Sequence, residues 1–149
     1  MEPEFRRAAR LVAVDFDRRI LLFRYAPPSG EWFWATPGGG LEHGESFEQA
    51  AQREAAEELG VKQVELEPLW EAMADFLWGE CTLRQQEQYF LLRFQPQEFA
   101  KEVPEVHRQE NIVETRWWTI AELESSTELI FPEGLAKNLR NTLGRNGLW

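Results

Sequence analysis

Three glutamates, Glu54, Glu57 and Glu58, stand at positions i, i+3 and i+4 of a segment with a helical pattern. Side chains at these spacings leave one helix face with Cβ atoms about 5 to 6 Å apart, so the three carboxylates repel one another. The dipole of the helix also disfavours anions in its C-terminal half. A hard divalent cation would offset this repulsion and keep open positions for water and phosphate oxygens. The spacing indicates a metal centre, and the competing interpretation is a solvated acidic face.

The segment just before this helix contains three consecutive glycines, Gly38–Gly40. The run is predicted to be a loop, in which backbone carbonyl and amide groups can approach a ligand or a metal without a side chain in the way. Arg53 and Glu45 can form an ion pair that ties this loop to the helix. The loop would then supply backbone groups, and the helix would supply charge.

The helix that carries the glutamates is predicted from Phe47 to Leu59. Ser46 and Gln49 match a capping box at its start, and Gly60 is a natural terminator. Its apolar positions at helical spacing are Phe47, Ala50, Ala51, Ala55 and Leu59.

The remaining elements are predicted from alternation and turn signals. Apolar runs predict a hairpin of strands at residues 8–16 and 20–25, an antiparallel pair at 64–78 and 82–94, and a short strand at 114–118. Residues 95–111 are predicted to be an exposed loop. Thr119 with Glu122 predicts a short capped helix, and Pro132 opens a last helix that ends near Leu143.

The glycines, glutamates and arginine from Gly39 to Val61 fall together into one known pattern. Gly39, Glu45, Arg53-Glu54, Glu57-Glu58 and Gly60 have the spacing of a complete Nudix box, so this sequence resembles the Nudix hydrolases. The resemblance extends from about residue 8 to residue 140. One position departs from the family: Ala55 replaces a bulkier aliphatic residue, which implies a change in packing and leaves the carboxylates intact.

The resemblance implies an α/β fold, the α/β/α sandwich of the Nudix family, with a mixed curved sheet between the box helix and a C-terminal helix. It implies metal-dependent hydrolysis of a diphosphate linkage in a nucleoside diphosphate derivative, with water attacking phosphorus and Mg²⁺ or Mn²⁺ as cofactor. Nucleotide sugars, ADP-ribose-like compounds, dinucleoside polyphosphates and nucleoside triphosphates all remain open as substrates. The alternative from the same family is a non-catalytic sensor or scaffold that binds a nucleotide metabolite.

The resemblance also implies roles for the residues at positions that match the family pattern. Glu57, Glu58 and the Gly39 carbonyl are expected metal ligands, Glu54 a ligand or the general base, and Glu45 with Arg53 the structural brace. Glu57→Gln is expected to abolish turnover. Family members often take a further catalytic glutamate from outside the box, for which Glu110 is the first candidate, followed by Glu114 and Glu87. The candidates for substrate contact are Gly38, Gly40, Trp32 and Trp34, with Trp78 behind them; each tryptophan could equally be a core residue.

The composition narrows the classes of partner. The 149 residues are expected to form a single domain, and the lone cysteine, Cys81, excludes an internal disulfide and a cysteine-based zinc cluster. With 16 Lys and Arg against 26 Asp and Glu, the net charge of -10 disfavours nucleic acid and anionic membranes. A hydrolase of RNA ends would need a basic track, for which the arginines near the N-terminus are the candidates. No apolar run is long enough to cross a bilayer, so a cytoplasmic location is expected; the resemblance also allows a homodimer.

Overall fold

The computed structural model describes residues 4–28, 30–62, 64–78, 80–93 and 110–144. The strands are β1 (Glu4–Val14), β2 (Arg19–Tyr25), β3 (Phe33–Ala35), β4 (Gly38–Gly40), β5 (Glu67–Trp78), β6 (Cys81–Arg93), β7 (Ile112–Thr119) and β8 (Ile130–Phe131). The helices are α1 (Phe47–Glu54), which continues as a π-helical turn (Ala55–Leu59), α2 (Ile120–Ser125) and α3 (Leu135–Leu139), which continues as a second π-helical turn (Arg140–Gly144). In the part of the chain so described, no helix is both long enough and apolar enough to span a bilayer.

Strand β1 organises the sheet because three other strands pair with it. It runs parallel to β6 along its whole length, antiparallel to β4 at Ala8–Arg10, and meets β2 at Val14 and Ile20. The predicted hairpin is therefore present only at its turn. There Asp15 Oδ1 accepts the N–H groups of Asp17 and Arg19, after which β2 pairs with β3 and β7. The result is a mixed sheet with the order β5-β6-β1-β2-β3-β8.

The sheet lies between two helical layers. Alternation along β1 sends Ala9, Leu11 and Ala13 to one face and Val12 and Val14 to the other. On the first face they pack with the box helix, at Ala50, Ala51, Ala55 and Leu59. On the second face the partners are the leucines of α2, α3 and the turn after α3, at Leu123, Leu135, Leu139 and Leu143. The predicted sandwich is confirmed, and Ala55 lies fully buried against the sheet.

The three glycines are a strand, so the prediction of a loop is wrong. Gly38–Gly40 pairs with Arg10, Ala9 and Ala8 in register. Gly38 has φ +138, and a Cβ there would overlap with the carbonyl oxygen of Ala9. Glycine thus permits a backbone approach that any side chain would block, and this approach comes from the tertiary pairing with β1.

The local end signals of the helices are confirmed, and their lengths differ in detail. Ser46 and Gln49 form the predicted capping box, as do Thr119 and Glu122. The box helix reaches Leu59 but ends in a π-helical turn closed by left-handed Gly60. The last helix begins at Leu135, after Gly134, which adopts a left-handed conformation. Most of the predicted loop at 95–111 lies outside the described residues.

Candidate active site

Three carboxylates from two separate segments meet at one edge of the sheet. Glu54 ends α1, Glu58 lies in the following π-helical turn, and Glu110 lies just before β7. One carboxylate oxygen from each lies within 4.8 Å of the others. Glu54 and Glu58 are 3% and 1% exposed, and Glu110 is half-buried. The fold therefore places three carboxylates close together at a position that is largely shielded from solvent.

Burial and proximity raise the pKa of both helical glutamates. For Glu54 the causes are burial and the charge of Glu110. For Glu58 they are burial, a hydrogen bond with Glu110 and the charge of Glu54. Without a cation these carboxyl groups hold protons to a higher pH than an ordinary glutamate does. A divalent cation would bind most strongly once those protons are lost.

The donor set fits a hard cation. All three side chains offer oxygen, which Mg²⁺ and Mn²⁺ prefer. Glu54 Oε1 accepts from Arg53 Nη1 at 3.0 Å, whereas the buried Glu54 Oε2 has no hydrogen-bond partner among the described residues. A buried carboxylate oxygen without a donor is costly, and a bound cation would satisfy it. Gly39 adjoins the same carboxylate, since a Cβ built on it would lie 2.6 Å from Glu54 Oε1.

Arg53 holds the helix to the segment before it, as the expected brace requires. Its Nε and Nη2 donate to the two carboxylate oxygens of Glu45 at 2.7 and 2.9 Å. Nη2 also donates to the Gly40 carbonyl at 3.0 Å, and Nη1 reaches Glu57 at 3.3 Å. The hydrogen bonds with Arg53 lower the pKa of Glu45, and the same contacts raise that of Arg53. One guanidinium thus connects β4, the following loop and two box glutamates.

Arg53→Met is expected to lower the free energy of unfolding by about 2 kcal/mol, because several charge-assisted hydrogen bonds lose their donor. The loss should be visible as a lower midpoint in urea unfolding. Arg140→Met removes an exposed pair with Glu124 and should change that midpoint little. Equal losses in the two variants would contradict the brace.

Glu57 lies apart from the three-carboxylate cluster. Its side chain is 44% exposed, pairs with Arg53, and lines the adjoining cavity. It therefore faces solvent where a ligand would enter. Its expected role as a metal ligand stays a prediction.

The cavity beside the cluster has a volume of 1570 Å³. One end has aromatic walls, where Tyr25 stacks on Phe33 with ring centroids 5.3 Å apart and Phe131 meets Phe33 edge-on. Gly38–Gly40 and the β1 arginines Arg6, Arg7 and Arg10 also line the cavity. The arrangement offers a flat apolar surface, a metal-binding edge and positive charge in one continuous space.

Of the three candidate tryptophans, Trp32 and Trp34 do not line this cavity. Trp34 is 2% exposed and meets Trp118 edge-on at 5.2 Å, in the layer opposite the box helix. Its expected substrate contact is corrected: it is a core residue, because its position in β3 turns it toward α3. Trp32 is half-exposed beneath the guanidinium of Arg24. The side chain of Trp78 lies outside the described part of the structure.

Among the outer glutamates, the structure separates three positions. Glu110 joins the cluster, and Glu114 instead pairs with Arg24 on the neighbouring strand at 3.3 Å. Glu87 is buried on β6 and bonded to Arg10 and Tyr89. Arg10 was considered from the sequence only as one of the arginines near the N-terminus, although a charged residue within the apolar run of β1 was a signal for a role in the site.

Comparisons with known proteins agree with this geometry. A family model described as NUDIX domain matches residues 4–140. The RNA pyrophosphohydrolase of Caulobacter vibrioides is 34% identical over 143 residues, which cover 87% of this chain and 79% of that protein. A mutT/nudix family protein from Listeria innocua has a similar structure, with TM-score 0.69, 20% identity and 99% of each chain covered. A MutT NUDIX hydrolase from Burkholderia pseudomallei gives TM-score 0.62 and 26% identity over 89% of this chain and 95% of that one. The chain therefore belongs to the Nudix hydrolase family.

Proposed function

We propose that this protein is a metal-dependent pyrophosphohydrolase that cleaves the diphosphate linkage of a nucleoside 5′-phosphate derivative. The observation that carries the proposal is the largely buried cluster of Glu54, Glu58 and Glu110 beside Gly39, in which Glu54 Oε2 has no hydrogen-bond donor among the described residues. A purely structural role would leave three carboxylates close together, two of them buried, with Arg53 at Glu54 and the N–H of Gly38 at Glu58 as the contacts that offset their charge among the described residues.

The residues divide the work between holding a cation and moving a proton. Glu54 and Glu58 would hold Mg²⁺ or Mn²⁺ with the Gly39 carbonyl, and Glu57 would complete the site from the cavity side. The cation supplies charge neutralisation of phosphate oxygens and a lower pKa for bound water. Glu110 lines the cavity and is half-buried, so it is placed to accept the proton of the attacking water, with Glu54 as the alternative base.

The substrate would extend along the cavity in both directions from the cluster. Tyr25, Phe33 and Phe131 offer ring faces on which a base can stack. Arg6 and Arg7, which also line the cavity, offer donors for phosphate oxygens, which offset locally the repulsion that the net charge of -10 creates.

An RNA 5′ end is a second substrate candidate beside a free nucleotide derivative. The Caulobacter vibrioides relative is named RNA pyrophosphohydrolase. Arg6 and Arg7 line the cavity and supply positive charge of the kind that such a substrate needs. The net charge still disfavours a long polyanion at a distance, so selectivity would depend on contacts close to the triphosphate.

The test is turnover of a substrate panel with Mg²⁺ or Mn²⁺. The panel contains ADP-ribose, a nucleotide sugar, a dinucleoside polyphosphate, nucleoside triphosphates and a 5′-triphosphate RNA oligonucleotide, and released phosphate or pyrophosphate is measured. Glu57→Gln is expected to lower kcat on the best substrate about a hundredfold or more, because a ligand charge at the cavity is lost. Glu48→Gln is the matched control, since Glu48 is exposed in the first turn of the same helix.

Three outcomes are informative. Turnover that disappears in Glu57→Gln and persists in Glu48→Gln supports the proposal, and the best substrate identifies the class. Undiminished turnover in Glu57→Gln with added Mg²⁺ contradicts it. Saturable nucleotide binding without hydrolysis would favour the sensor or scaffold instead.

A further inference from the structure

Arg10 on β1, whose side chain is mostly buried, forms hydrogen bonds with the segment that precedes the Nudix box. The side chain of Arg10 is 13% exposed. Its Nη1 donates to two backbone carbonyls, those of Thr36 at 3.4 Å and Gly38 at 3.2 Å. These carbonyls flank Pro37, whose own carbonyl accepts from the N–H of Leu11 at 2.8 Å. Three consecutive carbonyls are thus held by β1.

Glu87 fixes the orientation of that arginine. Its Oε2 accepts from Arg10 Nε at 3.1 Å and from Gln85 Nε2 at 2.7 Å, and its Oε1 accepts from the Tyr89 hydroxyl at 3.0 Å. Burial alone would lower the pKa of Arg10, but the charge of Glu87, its hydrogen bond and the nearby Tyr25 and Tyr89 together raise it. The guanidinium therefore stays ionised, and its contacts with Glu87, Thr36 and Gly38 leave it little freedom to rotate.

The backbone N–H of Gly38 faces the carboxylate cluster. While its carbonyl accepts from Arg10, its N–H donates to Glu58 Oε2 at 3.0 Å. This hydrogen bond favours the ionised form of Glu58 against the effects that raise its pKa. A rotation of the strand backbone at Gly38 would move the N–H away from Glu58 and shift the Gly39 carbonyl at the same time.

We propose that Arg10 is a positioning residue, which through Gly38 aims a backbone N–H at Glu58 and keeps that carboxylate in the metal-binding cluster. The chain of contacts runs from Tyr89 and Gln85 through Glu87 and Arg10 to Gly38. This inference rests on the proposed function, because positioning matters only if the cluster holds a cation. Its structural part can be measured on metal-free protein.

Arg10→Lys is the principal test. Lysine keeps a positive charge beside Glu87 but lacks the two separate donors, Nε and Nη1, that bind Glu87 and the two carbonyls at the same time. Hydrogen exchange of the Gly38 amide, followed by NMR on metal-free protein, is expected to accelerate about tenfold or more, whereas the Leu92 amide in the core should keep its rate. Binding of Mn²⁺ is expected to weaken about tenfold, the lower end of the range for residues that orient metal ligands. The value of kcat should fall while KM stays within about twofold.

Two further variants separate positioning from folding. Arg140→Lys changes an exposed arginine paired with Glu124, and it should leave exchange at Gly38 and Mn²⁺ affinity unchanged. The double variant Arg10→Met with Glu87→Met removes both buried charges, so it does not leave an unpaired carboxylate in the core. It should still fold and show the same acceleration at Gly38 and the same weaker Mn²⁺ binding as Arg10→Lys.

The inference would be overturned if Arg10→Lys or the double variant folded and kept the wild-type exchange rate at Gly38 and the wild-type affinity for Mn²⁺. A raised KM with unchanged exchange would also overturn it, because Arg10 would then be a substrate contact. Faster exchange and weaker Mn²⁺ binding, in a protein that hydrolyses no member of the substrate panel, would support the inference and contradict the proposed function.

Discussion

Without metal at pH 8, Glu58→Gln is expected to unfold at a higher temperature than the wild type, although it loses about a hundredfold or more of kcat. Glu58 is buried beside Glu54 and Glu110, and the pKa of its carboxyl group is raised. At pH 8 the wild type must keep that charge in place, whereas glutamine is neutral and can still accept from Gly38. We expect Tm to rise by about 3 °C, which corresponds to about 1 kcal/mol in a chain of this size.

The pH dependence of this increase in Tm tests whether the buried charge of Glu58 is its cause. Because the pKa of Glu58 is raised by folding, its contribution to stability is complete below the ordinary glutamate range and is lost as the pH rises through the folded-state value. The Tm advantage of Glu58→Gln should therefore be larger at pH 8 than at about pH 5. The exposed glutamates whose pKa is lowered, such as Glu122 and Glu124, are common to both proteins and cancel in the difference.

Calorimetry with and without Mg²⁺ provides the control. Mg²⁺ should raise Tm of the wild type at pH 8 and have a much smaller effect on Glu58→Gln, since binding to the folded state stabilises it. A Tm difference that is the same at pH 5 and pH 8 would show that the substitution acts through packing. The experiment would then count against a raised carboxyl pKa.

Gly39→Ala is expected to weaken metal binding and leave the fold in place. Its Cβ would lie 2.6 Å from Glu54 Oε1, the far end of a flexible side chain. The carboxylate can move aside, so the sheet survives, but Glu54 then leaves the cluster. Titration with Mn²⁺ should show affinity lowered about tenfold or more, with Tm close to that of the wild type.

Two other glycines serve as controls for this substitution. Gly38→Ala would push a Cβ into the backbone of β1, in a left-handed conformation, and should cost about 4 kcal/mol with loss of the β4 pairing. Gly44 has φ +78 and open space around a Cβ, so Gly44→Ala should cost about 1 kcal/mol and leave Mn²⁺ affinity unchanged. If Gly39→Ala bound Mn²⁺ as tightly as the wild type, Glu54 would not be a ligand.

Local signals in the sequence predicted the elements that local interactions determine. The box helix and both capping boxes follow from contacts three or four residues apart, and they were read correctly. The pairing of β1 was not, because β4 takes most of the edge that a full hairpin would give to β2, β6 takes the other edge, and no local pattern shows either pairing. Gly38–Gly40 was predicted to be a loop because runs of glycine usually mark irregular backbone. Here the lack of a side chain permits close contact with another strand.

In the candidate site, too, local spacing was informative, and contacts between distant segments could not be predicted. The spacing of Glu54 and Glu58 placed both on one helix, and family order placed Glu110 near them, where the structure has it. The cluster excludes Glu57, whose side chain points to the cavity, and alternation in a three-residue strand was too short to reveal the face of Trp34. Glu87 was a candidate catalytic glutamate and Arg10 one of several arginines near the N-terminus; their pairing with each other was not predicted, because it depends on strands that are distant in sequence.

The pair of Arg10 and Glu87 also constrains the order in which the protein assembles. Its two members are separated by 77 residues along the chain, so during synthesis the box helix leaves the ribosome well before β6 can pair with β1. Until then no partner carboxylate orients Arg10, and the apolar face of the helix is incompletely covered. Contacts of such long range are slow to form and leave apolar surface open to aggregation. The nascent chain is therefore most vulnerable in the interval between synthesis of the box and synthesis of β6, and metal binding becomes possible only when that interval has ended.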